Sequence, residues 1–189
     1  MMRQCVKWAV VAAVVWGVSA CSSLAPPVPV SPPSEPIVQL QTLPERFALT
    51  GRIGVKADGK GYYANFDWVH ADGEDQVAIL SPLGQTMALI QRSAQSVSLT
   101  ADGKVYDAPD SETLTRDMLG WALPLDPLAW WVNGSPAPGE FVVTPQGFSQ
   151  QGWTIASEGA LPTAMGIRPS RLHLQRPQLD IRMVIHQWQ

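Results

Sequence analysis

Cysteine is almost missing from this chain of 189 residues: Cys5 and Cys21 are the only two. Everything after residue 21 therefore lacks a thiol, which excludes disulfide staples, a cysteine nucleophile and thiolate metal ligands there. Cations are sparse and scattered, 13 Lys and Arg against 16 acids for a net charge of −3, with no basic run. A nucleic-acid partner needs a basic stripe, so none is expected. The three histidines, His70, His173 and His186, form no H-x-x-x-H pair and read as strand-surface residues, so no metal site is expected. There is no G-x-S-x-G, and Gly59-Lys60-Gly61 lacks the rest of a phosphate-binding pattern. Asp67, Glu74, Asp75, Glu112 and Asp117 fall mainly at turns or a helix start and read as solvated surface. A hydrolase whose carboxylates meet only on folding stays open as an alternative. Nothing asks for a cofactor. No apolar run is long enough to cross a bilayer; the longest candidate, Trp8 to Ala20, has thirteen residues.

That run has a different meaning. Arg3 and Lys7 precede it and small residues end it, the pattern of a secretory signal. Val18-Ser19-Ala20-Cys21 resembles the bacterial lipobox, which implies cleavage before Cys21 and lipidation of that cysteine. Residues 1–20 are thus expected to be a signal peptide, whose loss moves the net charge from −3 to about −5. By resemblance to lipoprotein sorting, Ser22 after the cysteine points to the outer membrane, with the domain facing the periplasm. Two or more acyl chains hold a membrane stably, where one holds it marginally. Residues 21–42 carry Pro26, Pro27, Pro29, Pro32, Pro33 and Pro36 and almost no bulky hydrophobes. They read as an extended tether, reaching roughly 60 Å when fully stretched.

The folded domain is expected over residues 43–189. Phe47, Leu49, Ile53 and Val55 alternate on one face, followed by the Asp58-Gly59 turn and the alternating Tyr62, Ala64, Phe66 and Trp68. This is a long hairpin. Strands 76–81 and 86–92, joined by Pro82-Leu83-Gly84-Gln85, and a pair about the Asp102-Gly103 turn continue the meander. Two short helices follow. Asp110 or Ser111 caps the first, which places Leu114, Met118 and Trp121 on one stripe; Asp126 caps the second, with Pro127 at its first helical position. Strands then resume at 141–144, 147–150, 153–157, 165–167, 172–175 and 180–188, with Ile181, Met183 and Ile185 facing one way. Ten or eleven antiparallel strands with central helices predict a strongly curved sheet with the helices across its concave side.

A family resemblance rests on these residues. Leu49-Thr50-Gly51-Arg52-Ile53-Gly54-Val55, Asn65-Phe66-Asp67-Trp68, Pro82-Leu83-Gly84, Leu119-Gly120-Trp121 and Gln151-Gly152-Trp153-Thr154-Ile155 occur in that order. With Arg171-Leu172 and the ending Ile185…Trp188, the chain resembles the LolB family of outer-membrane lipoprotein receptors from about residue 44 onward. The resemblance implies a mainly β fold: an incomplete antiparallel barrel of about eleven strands, covered by short central helices and enclosing a hydrophobic cavity. It implies a receptor that takes client lipoproteins from the periplasmic carrier LolA by their acyl chains and inserts them into the outer membrane without ATP. It implies no catalysis, and the protein is expected to act as a monomer. Candidate lining residues are Trp68, Leu114, Met118, Trp121, Trp131, Met183 and Ile185, each of which could equally belong to a plain core. Methionine suits such a lining because its unbranched chain adapts to varied shapes. In the place of Leu83 the family carries an apolar residue on a protruding loop implicated in membrane delivery; the bland alternative folds Leu83 back onto the sheet. The rival from another class is a structural or assembly-machine outer-membrane lipoprotein that binds protein surfaces.

Overall fold

The computed structural model describes residues 42–189; the expected signal peptide, Cys21 and the tether up to residue 41 lie outside them. The chain order begins with six strands in a meander: β1 (Arg46–Ala57), β2 (Lys60–Ala71), β3 (Glu74–Leu80), β4 (Thr86–Arg92), β5 (Val97–Ala101) and β6 (Lys104–Ala108). Asp58-Gly59, Asp72-Gly73 and Asp102-Gly103 make three of the turns with both residues at positive φ, the two-residue hairpin geometry that matches strand twist. Two helices follow, α1 (Ser111–Leu119) and α2 (Leu125–Val132). Then come β7 (Val142–Thr144), β8 (Gly147–Gln150), β9 (Trp153–Glu158), β10 (Leu161–Thr163), β11 (Gly166–Arg168), β12 (Arg171–Arg176) and β13 (Leu179–Trp188).

Eleven strands form one antiparallel sheet in the order β6-β5-β4-β3-β2-β1-β13-β12-β9-β8-β7. β1 is its centre: it pairs with β2 from Arg46↔Ala71 to Ala57↔Lys60 and with β13 from Leu49↔Trp188 to Ala57↔Leu179. The sheet is not closed, because β6 and β7 form its two edges. The expected curved sheet of about eleven strands with central helices is thus what the chain forms. Two details differ. Leu161–Thr163, expected as loop, pairs with Gly166–Arg168 as a separate two-stranded ribbon. Pro162 is tolerated there because so short a ribbon needs no ladder donor at that position.

The inward face follows the alternation. Phe47, Leu49 and Val55 of β1, Phe66 and Trp68 of β2, and Ile181, Met183 and Ile185 of β13 are all buried. At Gly51 a Cβ would collide with the carbonyl oxygen of Val184, so the bulge that shifts the β1–β13 register at Thr50/Gly51 requires a residue without a side chain.

The helices are set by side-chain caps and by hydroxyls. Asp110 Oδ1 accepts from the Thr113 N–H at 2.7 Å, as expected, and Gly120 closes α1 at φ 82°. Trp121 therefore lies just past the helix rather than on it. Asp126 does not cap α2. Pro124 stands at that N-cap without a side-chain bond, and Asp126 instead accepts from Arg92 Nη1 at 2.8 Å. The linker between the helices is tied to α1 by two buried hydroxyls. Thr115 Oγ1 accepts from the Leu123 N–H at 2.8 Å, and Ser111 Oγ accepts from the Leu125 N–H at 3.0 Å. These bonds aim Leu123 and Leu125 at the sheet.

Candidate functional site

The space between sheet and helices is not filled. A cavity of about 480 Å³ lies between the concave face of β1–β5 and β13 and the helical segment. Ligand pockets of small molecules fall between about 300 and 1,000 Å³. Ile53 and Val55 of β1, Phe66 and Trp68 of β2, Val77 and Ile79 of β3, Ile90 of β4 and Met183 of β13 form its sheet wall. Met118, Leu119, Trp121, Leu123, Leu125 and Leu128 form the roof. No lining residue carries a charge, so the site offers apolar contact and almost nothing else.

The lining is graded from one end to the other. Trp68, Val77, Ile90 and Leu99 are buried, while Tyr62 is 47% exposed, Met87 59% and Leu119 39%. The exposed members sit at the start of β2, the start of β4 and the end of α1, so the cavity opens at that end. A bulge helps to make the mouth: Ile79 pairs with Ala88 and Leu80 with Thr86, which leaves Met87 as the extra residue at the rim.

Leu83 projects from the same end. Ser81 accepts from the Gly84 N–H at 2.9 Å, making a tight turn in which Gly84 takes φ 81°. Leu83 is 89% exposed and does not fold back onto the sheet. Its neighbours Pro82 and Gly84 are exposed as well.

Among the other candidates, Trp68, Met118, Trp121 and Met183 line the cavity. Leu114, Trp131 and Ile185 are buried elsewhere in the core. Leu114 lies beside the Ser111 and Thr115 hydroxyls, on the seam between α1 and the linker. Trp131 points to the far half of the sheet, where its Nε1 donates to Gln150 Oε1 at 2.8 Å and its ring meets Trp153 at 6.1 Å. Ile185 lies two residues past Met183, beside Gly51, where β1 and β13 are in contact.

A buried polar cluster behind the cavity floor corrects the reading of His70 and Asp75 as surface residues. Their side chains are 3% and 0% exposed. Asp75 Oδ1 accepts from Trp68 Nε1 at 2.8 Å and from His70 Nδ1 at 2.7 Å. Its Oδ2 accepts from Arg92 Nε at 2.7 Å and also from Arg92 Nη2. Burial alone would raise the Asp75 pKa, but the bonds from His70 and Trp68 and the Arg92 charge outweigh it and hold the carboxyl below its ordinary range. Four donors fill the roughly four lone-pair sites of a carboxylate, which leaves no position for a substrate. The cluster is a mount for Trp68, whose ring faces the cavity. A signal for it was present: His70 and Asp75 share the inward parity of Trp68 and Val77 and pair across the β2–β3 turn.

Similarity to known proteins agrees with this geometry. The family model described as outer membrane lipoprotein LolB matches residues 45–188. The chain is 45% identical over 145 residues to the outer-membrane lipoprotein LolB of Chromobacterium violaceum, covering 76% of this chain and 80% of that protein. It is 37% identical over 191 residues to that of Thiobacillus denitrificans, with 97% of each covered. For Neisseria meningitidis the identity is 36% over 141 residues, covering 73% of this chain and 71% of the relative. Among solved structures, a LolA superfamily protein from Nitrosomonas europaea shares the fold, with a TM-score of 0.51 at 11% identity over 79% of this chain and 88% of that one.

Proposed function

The chain belongs to the LolB family of outer-membrane lipoproteins, and from that premise we propose that it accepts lipoproteins from the periplasmic carrier LolA, shelters their acyl chains in the cavity and releases them into the outer membrane without ATP. The observation that carries this reading is the uncharged cavity of about 480 Å³ whose mouth opens beside Leu83. Each buried methylene is worth about 0.8 kcal/mol, so a client chain left in water costs on the order of 10 kcal/mol. An apolar lining offsets most of that cost and requires no covalent step. Direction then comes from differences in affinity among carrier, receptor and membrane.

The parts divide the work. Lipid on Cys21 holds the protein at the outer membrane. Leu83, entering the lipid interface, gains at most roughly 1.5–3 kcal/mol, which orients the domain without anchoring it. Trp68, Met118, Trp121 and Met183 contact the acyl chains; the two methionines adapt to different chain lengths. Leu114, Trp131 and Ile185 support the walls.

The test is reconstitution with carrier bearing a labelled lipoprotein, this protein, and liposomes, comparing wild type with Leu83→Glu. Both are expected to strip the client from the carrier, and only wild type to deliver it to the liposomes. If neither takes the client, or if transfer to the receptor requires nucleotide, the proposal fails.

A further inference from the structure

The lysines are not spread over the domain. Lys56, Lys60 and Lys104 are the only three after residue 41, and all are exposed. Lys56 and Lys60 flank the β1–β2 turn, and Lys104 begins β6 after the β5–β6 turn. In an antiparallel meander these turns fall at the same end as the β3–β4 turn, so the lysines stand on both sides of Leu83. Among the described residues none of the three takes part in an ion pair. The opposite end has no lysine. It carries Glu45, Asp72, Glu74, Asp110 and Glu158, where Arg46 is paired with Asp72 and Arg171 with Glu158.

We propose that the end of the sheet bearing Leu83, Lys56, Lys60 and Lys104 is a docking face selective for an anionic lipid surface, with the cavity mouth opening onto that surface. The inference rests on the lipoprotein-transfer reading and adds to it the class of lipid and the residues that select it. Charge complementarity carries it. Lipid phosphates draw lysine ammonium groups, and the long lysine stems let the charges reach past the turns that hold them. Leu83 and the exposed Met87 supply the apolar contact between them, and Tyr62 adds an amphipathic ring at the rim.

Other charges at this end set the expected size. Asp58 and Asp102 lie in the same turns, on side chains shorter than those of the lysines. Asp180 is occupied by His173, Gln175 and Arg182. The Arg176 guanidinium lies 4.5 Å from the Trp153 ring centre, facing inward. One lysine at an anionic surface strengthens binding about fivefold. Three unopposed lysines would give roughly a hundredfold, and the two aspartates reduce the expected preference to about tenfold.

The experiment uses the full mature chain with Cys21→Ser, so that the acyl anchor does not mask the contact. Co-sedimentation is measured with vesicles of phosphatidylcholine alone or mixed with phosphatidylglycerol, at low and high salt. Wild type is expected to bind the mixed vesicles about tenfold more tightly, with the difference lost at high salt. The triple variant Lys56→Gln, Lys60→Gln, Lys104→Gln is expected to lose the preference, and the corresponding triple arginine variant to keep it. Leu83→Glu should weaken binding to both vesicles. Equal binding of wild type to neutral and anionic vesicles would overturn the proposal, as would a glutamine triple that keeps its preference. A fluorescent fatty acyl probe, run in parallel, should bind the wild type and both lysine variants alike. Failure of the probe on wild type would count against the cavity reading and leave the vesicle result to be judged separately.

Discussion

Replacing Asp75 by asparagine tests whether the cluster behind the cavity floor is structural. The substitution keeps the side chain's shape but removes the charge and turns one acceptor into an NH2 donor. Trp68 and His70 can still donate to the remaining oxygen. Arg92 Nε, now 2.7 Å from an acceptor, would face a donor. The guanidinium, with its side chain 12% exposed, would keep Asp126, whose side chain is 66% exposed, and the Gly73 carbonyl oxygen, which accepts from Nη2 at 3.1 Å. Breaking a buried ion pair by removing one partner costs about 3–5 kcal/mol. The remaining contacts to Asp126 and Gly73 place the expected loss near the lower end, about 3 kcal/mol. For a domain of this size that corresponds to a fall in Tm of roughly 6–12 °C. Urea unfolding followed by tryptophan fluorescence reads the change directly. The sign of the pH effect follows from the lowered pKa of Asp75. Its ionised form stabilises the folded state above the unfolded-state value of about 3.9, and that stabilisation is lost as pH falls through the lower folded-state value. The gap between wild type and Asp75→Asn should therefore narrow only in that acid range. A loss under about 1 kcal/mol at neutral pH, or a gap that stays constant into acid, would refute the account.

Two further outcomes follow from the cavity and from the sheet. Met183→Trp should fill much of the space that Met183 borders, so affinity for a fluorescent fatty acyl probe should fall tenfold or more, about 1.4 kcal/mol, while Tm moves little; unchanged affinity would place the ligand elsewhere. Gly51→Ala forces a methyl group against the Val184 carbonyl oxygen, and thermal unfolding should show a loss of roughly 3 kcal/mol, at the top of the range for overpacking.

The strands were legible because one face of each is buried. From Phe47 to Val55 and from Phe66 to Trp68 every second residue is apolar, and those residues do point inward. Periodicity reports which side of an element turns inward, however, and not whether the space it meets is filled. Met183 and Ile185 share a face of β13, yet Met183 borders the cavity and Ile185 is packed beside Gly51. The same limit separates Met118 from Leu114 on α1. Leu83 was legible for the opposite reason, since an apolar residue between Pro82 and Gly84 in a turn has few neighbours to cover it. Asp126 misled because its place before Pro127 fits an N-cap, while Arg92, 34 residues away along the chain, competes for the same carboxylate. His70 and Asp75 looked like surface because each is polar and near a turn. Only the pairing of β2 with β3 brings them together, with Arg92 from β4 as the third partner.

β6 and β7 stand at opposite edges of one eleven-stranded sheet and do not pair with each other. A closed barrel has its girth fixed by strand number and stagger, and widening it means breaking a ladder of hydrogen bonds. Here no such ladder spans the gap. The wall is built as a clasp rather than a ring: its width is set by the twist of the sheet, and no strand pair has to break for that width to change.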